Sequence, residues 1–253
     1  MCIRDSPPTV ELDKNGGTYT VAQNSNFVPI TTKITAQDAN GGTGAPNSQI
    51  KEPNKDITLS TTKTSRTGYT FIGWSTNKNS STAEYQPGAI YSNNESVTLY
   101  AVWKINSYSL TVNPNGGTWN NTTSSSSIKQ NYGSTKTITN PTPPAGYKVT
   151  FNGNGGSTPD AQTSTKSFVS WTNSGSGTLS GTTYTFGAGN GTLTANYKNN
   201  AITLPSTSRN GYTFLGWYDA ASGGNKIGNA GATYTPTSSK ILYAHWQDKT
   251  LPT

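Results

Sequence analysis

The chain has 253 residues, a formal net charge of +7 and only 11% charged residues, with one Cys, one Met and one His. Asn, Ser and Thr number 27, 29 and 43, and with 27 Gly and 14 Pro they exceed half the sequence; so few strong helix formers remain that a predominantly helical protein is excluded. Fourteen Tyr, six Trp and six Phe supply the aromatic surface that disordered chains lack, and no apolar run approaches the ~20 residues of a membrane-spanning helix.

In chain order, Met1-Cys2-Ile3-Arg4-Asp5-Ser6 resembles the translation of a transposase adapter used in sequencing libraries, so residues 1–6 are expected to be an artefact of that kind. The only Cys and Met fall within it, and a chain without them has no disulfide framework, Cys-type metal site or thiol nucleophile. Residues 7–31 hold Asn15-Gly16-Gly17 and read as part of a preceding module. Residues 32–104 carry Asp38-Ala39-Asn40-Gly41-Gly42, then Gly68-Tyr69-Thr70-Phe71-Ile72-Gly73-Trp74, then Leu99-Tyr100-Ala101-Val102-Trp103.

Residues 105–198 form a divergent copy with two Asn-Gly-Gly turns, at Asn115 and Asn154. It continues with Ser167-Phe168-Val169-Ser170-Trp171 and Thr192-Leu193-Thr194-Ala195-Asn196-Tyr197, where Tyr197 stands in the place of a Trp. Residues 199–247 repeat the first pattern as Gly211-Tyr212-Thr213-Phe214-Leu215-Gly216-Trp217 and Leu242-Tyr243-Ala244-His245-Trp246. The interval from Trp74 to Trp103 is 29 residues, and from Trp217 to Trp246 again 29. Gly88, Ala89 and Tyr91 return as Gly231, Ala232 and Tyr234 at equal offsets. Residues 248–253 end in Thr250-Leu251-Pro252-Thr253, similar to Thr203-Leu204-Pro205-Ser206, and are expected to begin a further segment.

Asn-Gly accepts the positive φ of tight turns. Each turn follows an alternating segment, such as Tyr108–Val112 or Tyr147–Phe151. The same alternation puts Leu99, Ala101 and Trp103 on one face of a strand and Tyr100 and Val102 on the other. Strands and turns are predicted throughout, with no helix longer than a turn or two.

Asn-Gly-Gly, then Arg-x-Gly-Tyr-Thr-Phe-x-Gly-Trp, then Leu-Tyr-Ala-x-Trp resembles the Listeria–Bacteroides repeat, or internalin-type B-repeat. The pattern is met at Asn40–Gly42, Arg66–Trp74 and Leu99–Trp103, and again at Arg209–Trp217 and Leu242–Trp246. The resemblance implies a mainly β fold, β-grasp-like α+β at most, in a tandem array of small repeat modules. It also implies a secreted or wall-attached bacterial surface protein, extracellular, in which such modules serve as stalk and interaction elements and not as enzymes. The module at 199–247 has no Asn-Gly-Gly strand of its own and is expected to share Thr192–Tyr197 with its predecessor.

Residues able to carry chemistry are few. His245 alone could support a hydrolytic triad, but it occupies the place of Val102 in the other copy and reads as a strand-face residue. Asp13, Asp38, Asp56, Asp160, Asp219 and Asp248 are scattered singly and form no calcium-loop pattern. Gly153–Gly156 and Gly187–Gly191 lack the Gly-Lys-Ser/Thr ending of a phosphate loop and read as turns. The 18 Lys and Arg are dispersed, which speaks against a nucleic-acid footprint and leaves weak attraction to anionic wall polymers or surface ligands. Tyr69, Phe71 and Trp74 fit either a core or a sugar-stacking platform, and their fixed spacing favours the core. No catalytic, cofactor or metal residue is expected. The reading is a non-catalytic stalk, with an adhesin or glycan-binding segment as the alternative; a solvent-facing aromatic patch would distinguish the two.

Overall fold

The computed structural model describes residues 33–250, so the adapter-like residues 1–6, the segment 7–31 and the terminal Leu251–Thr253 lie outside the described residues. The described chain is all β, in small sheets, and contains no helix.

The first unit runs through β1 (Lys33–Asp38), β2 (Gln49–Lys51), β3 (Ile57–Thr58), β4 (Tyr69–Ser75), β5 (Ile90–Tyr91) and β6 (Val97–Ile105). Its main sheet has the order β2-β1-β6-β4, with β1 parallel to β6 and the other pairs antiparallel. The short β3–β5 pair covers one face. Alternation in β6 sends Leu99 and Ala101 into a core with Leu59, Trp74 and Tyr91, and Phe71 and Trp103 pack against its margin.

Phe71 and Trp74 are three residues apart, which simple alternation would place on opposite faces. A bulge resolves this: the pairing with β6 slips between Phe71 and Gly73, and Gly73 adopts φ 136°. Its Cα approaches the neighbouring loop so closely that an added methyl would sit 2.5 Å from Ala83 Cβ and 2.7 Å from Tyr85 O. The same slip recurs between Phe214 and Gly216, at φ 137°. Two aromatic rings thus reach one core from a single strand.

The chain continues through β7 (Ser107–Asn113), β8 (Ser126–Asn131) and β9 (Thr135–Thr137), then β10 (Lys148–Asn152) and β11 (Gln162–Thr163). Next come β12 (Lys166–Gly175), β13 (Thr178–Ser180), β14 (Thr183–Thr185) and β15 (Gly191–Asn199). The final run is β16 (Ile202–Thr203), β17 (Tyr212–Tyr218), β18 (Lys226–Gly228), β19 (Thr233–Tyr234) and β20 (Lys240–Asp248).

These strands do not sort in sequence order. The middle unit joins β12-β15-β7-β8 in one sheet and β13-β14-β9 in another, around Leu110, Val112, Trp119, Tyr184 and Leu193. The last unit joins β11-β10-β20-β17-β18, around Val149, Phe151, Trp217 and Leu242, with β16–β19 beside it. Strands β10 and β11 therefore belong to the last unit although they precede β12–β15 of the middle one. The chain passes between the two units three times, by way of short connectors at 143–147, 164–165 and 200–201.

This corrects one expectation. The unit containing residues 199–247 does have its own Asn-Gly-Gly strand: β10 pairs in parallel with β20, Phe151 opposite Leu242, as Gln37 lies opposite Leu99 in the first unit. Thr192–Tyr197 lies in β15, where it pairs with β12 and β7 of the middle unit and is not shared. The Asn154 turn looked like a second turn of the middle copy because it precedes Trp171. Its partner strand lies some ninety residues further on.

Candidate functional surface

The repeated motif residues meet at one place in each unit, where the Asn-Gly-Gly turn closes on the end of the last long strand. Asn40, Asn115 and Asn154 adopt φ 47°, 48° and 48°. Each donates its side-chain amide at 3.0 Å to a strand carbonyl, respectively of Ala101, Ala195 and Ala244. The aromatic two residues beyond that alanine answers in kind. Trp103 Nε1 donates to Ala39 O at 3.0 Å, Trp246 Nε1 to Gly153 O at 2.9 Å, and Tyr197 Oη to Pro114 O at 2.7 Å. The second glycine is small because that aromatic lies against it; a methyl on Gly42 or Gly156 would run into the indole.

Arginine completes the arrangement. The Arg66 guanidinium lies 4.0 Å over the Tyr69 ring and that of Arg209 3.7 Å over Tyr212, each against the first glycine of its turn, Gly41 and Gly155. This explains the Arg-x-Gly-Tyr part of the pattern, for which the sequence offered only the repeated offset. Replacing Asn154 with Ala is expected to cost about 2–4 kcal/mol in a thermal or denaturant melt, because it removes the bonds to Ala244 O and Ala221 O and strains a left-handed residue. Asn154→Gly keeps the backbone and should cost less; equal losses would contradict this account.

The other residues singled out in the sequence are in structural places. Trp74 and Trp217 are fully buried in their cores, and Tyr69 and Phe71 are half-buried. Among the described residues no Phe, Tyr or Trp is exposed; the exposed large apolar side chains are aliphatic, led by Ile50 at 71%. His245 stacks on Tyr218 at 3.9 Å, and its Nε2 lies 2.8 Å from the Ala220 carbonyl oxygen.

The carboxylates close turns. Asp38 accepts from Asn40 N, Asp219 from Asn225 N and Asp248 from Thr250 N. Those amide donors hold Asp219 and Asp248 below the usual carboxylate range, as the Ser75 hydroxyl and then the Thr76 amide do for Glu84. Their stabilising effect is present above the ordinary carboxylate pKa and is lost as pH falls through the lowered folded values. Asp56 and Asp160 are exposed and Asp13 lies outside the described residues. Gly187–Gly191 forms the turn between β14 and β15. Among the described residues no three His, Cys, Asp or Glu side chains gather as a metal site would require.

Sequence reasoning missed the junctions. A single residue, Asn106, separates β6 from β7. Its N–H donates to Gly68 O in the first unit, its carbonyl accepts from Tyr132 N in the middle one, and its side chain bonds Thr70 Oγ1 and Tyr108 Oη. Tyr132 also meets Tyr69 edge-on at 6.1 Å. Asn200, between β15 and β16, is bonded to Thr165 of the connector and to Ser167 of β12. No local motif marks either residue.

Repeated β units closed by one Asn-Gly-Gly and Trp or Tyr arrangement define a tandem-repeat protein. The chain belongs to the Listeria-Bacteroides repeat domain family, whose model matches residues 34–102 and 178–245. The second match runs linearly through β13–β20, whereas the sheet it describes takes its opening strand from β10. The chain is also similar to a "Putative Gly-rich membrane protein" of Evansella cellulosilytica, 40% identical over 87 residues. That stretch is 34% of this chain and 9% of the relative, so the chain spans under a tenth of the relative's length. No helix among the described residues is long and apolar enough to cross a membrane.

Proposed function

We propose that residues 33–250 are a non-catalytic spacer in a secreted or wall-attached bacterial surface protein, holding other parts of that protein away from the envelope. Membership of a repeat family supports the class, and the name of the Evansella relative, a membrane protein, is consistent with an envelope setting. The observation that carries the reading is the one-residue junction at Asn106, bonded to both neighbouring units. A spacer needs length and stiffness, and such a joint removes the freedom that a flexible linker would keep. The adhesin reading is disfavoured because no aromatic side chain among the described residues is exposed, and a sugar-stacking patch needs exposed faces.

Spin labels on exposed Lys63 and Lys226 test this. A narrow distance distribution is expected, broadened when Gly and Ser residues are inserted after Asn106; a broad distribution in the parent chain would remove the spacer reading. Attraction to anionic wall polymers should be weak, since dispersed surface charge acts over about 8 Å at physiological salt. Binding to wall preparations is therefore expected to fade by several hundred millimolar salt. Saturable binding to one glycan that survives such salt would favour the adhesin.

A further inference from the structure

The opening strand of the first unit is inside out. Aligned on the turn, the residues five and three before Asn are Leu110 and Val112 in the middle unit and Val149 and Phe151 in the last, all at most 1% exposed. The first unit puts Thr35 and Gln37 at those core positions. Thr35 Oγ1 and both polar side-chain atoms of Gln37 are buried without a hydrogen-bond partner among the described residues. Beside them Lys51 is fully buried in the place that Ser164 takes in the last unit, and among the described residues its Nζ reaches Glu52 O alone, at 3.5 Å.

The apolar residues of the same hairpin face out. Ile34 and Ile50 are cross-strand partners, 54% and 71% exposed, where the sister hairpins carry Lys148 with Thr163 and Ser109 with Lys129. A one-residue slip would turn Ile34 and Ala36 inward. The latch forbids it, because Asn40 would leave Ala101 O and Trp103 would leave Ala39 O. The hairpin satisfies the turn at the expense of the core, and an unpartnered buried amide is a standing cost.

We infer that the β1 place of the first unit is an exchangeable strand site, and that its better-matched occupant is the sequence Val10–Gly17. There Val10 and Leu12 stand five and three residues before Asn15-Gly16-Gly17, the apolar spacing of the two sister units. That sequence would supply apolar side chains where Thr35 and Gln37 now sit, and a turn able to make the same latch. The crossing of β10 and β11 into the last unit shows that in this protein an opening strand need not come from the segment next to its sheet. Released, the hairpin at 33–51 would carry its Ile34 and Ile50 pair to another surface.

Cross-linking in the full chain, with Cys2→Ser as background, tests the exchange. Ala36 and Thr98 are strand partners on the outer face, so A36C/T98C reports the strand now in place. In the aligned register Glu11 corresponds to Ala36, so E11C/T98C reports the exchanged strand. Under mild oxidation E11C/T98C is expected to close within one chain in a substantial fraction of molecules. T35V/Q37F, which gives the hairpin a core face of the sister type, should raise the melting temperature and reduce the E11C/T98C product several-fold. Closure of A36C/T98C alone, an E11C/T98C product unaffected by T35V/Q37F, or cross-links only between chains would each overturn the inference.

Discussion

Trp217→Ala is expected to cost about 3–5 kcal/mol, as loss of a large buried aromatic does, while His245→Val stays within about 1 kcal/mol. The contrast follows from packing. Trp217 is fully buried, donates Nε1 to Pro205 O at 2.8 Å and contacts Phe151 and Phe214 at ring separations of 4.9 and 5.5 Å. Nothing nearby can fill the space an indole leaves. His245 is half-buried in the place Val102 occupies in the first unit, so a valine there has a precedent in the same fold and forfeits only the stacking on Tyr218 and the Nε2 contact with Ala220 O. Denaturant melts with the reverse ranking would overturn the core assignment.

The second large effect concerns cooperativity. Trp119 lies in the middle core and Trp217 in the last, yet Trp119→Ala and Trp217→Ala should lower one and the same unfolding transition, each by about 3–5 kcal/mol. Linear repeat arrays usually unfold by units with nearest-neighbour coupling. Here the last unit cannot open without pulling on β10 and β11, and these are tied to the middle unit on both sides, to β9 through residues 138–147 and to β12 through residues 164–165. Trp74→Ala should act on a separate transition, since every strand of the first sheet comes from residues 33–105. Calorimetry or single-molecule pulling decides this: two resolvable steps within residues 107–248, one sensitive to Trp119 and the other to Trp217, would contradict it.

The equal Trp-to-Trp intervals, the alternation in Leu99–Trp103 and the Asn-Gly-Gly turns made the β class, the repeat and its aromatic core readable from the sequence. Three features were not readable, each for a physical reason. The membership of Asn154 depends on which of two similar strands it pairs with, and local sequence carries no term for a partner ninety residues away. The shared inward direction of Phe71 and Trp74 depends on a bulge, which breaks the period that sequence patterns assume. The junction residues Asn106 and Asn200 act through backbone and amide bonds that any Asn in a polar chain could make. At the surface, how far each ring is covered is a property of packing that composition does not contain.

The crossing of β10 and β11 also bears on how such a chain can be made and remade. During synthesis the middle sheet cannot close until β15 has emerged, and by then the opening strands of the last sheet are already waiting for β20. A growing chain therefore carries two unfinished sheets at once, and its long-range pairings make folding slow. Between residues 107 and 248 there is also no point at which a gene could be cut to lose one repeat and keep another whole. For this stretch the heritable unit of duplication or deletion is the interlaced pair.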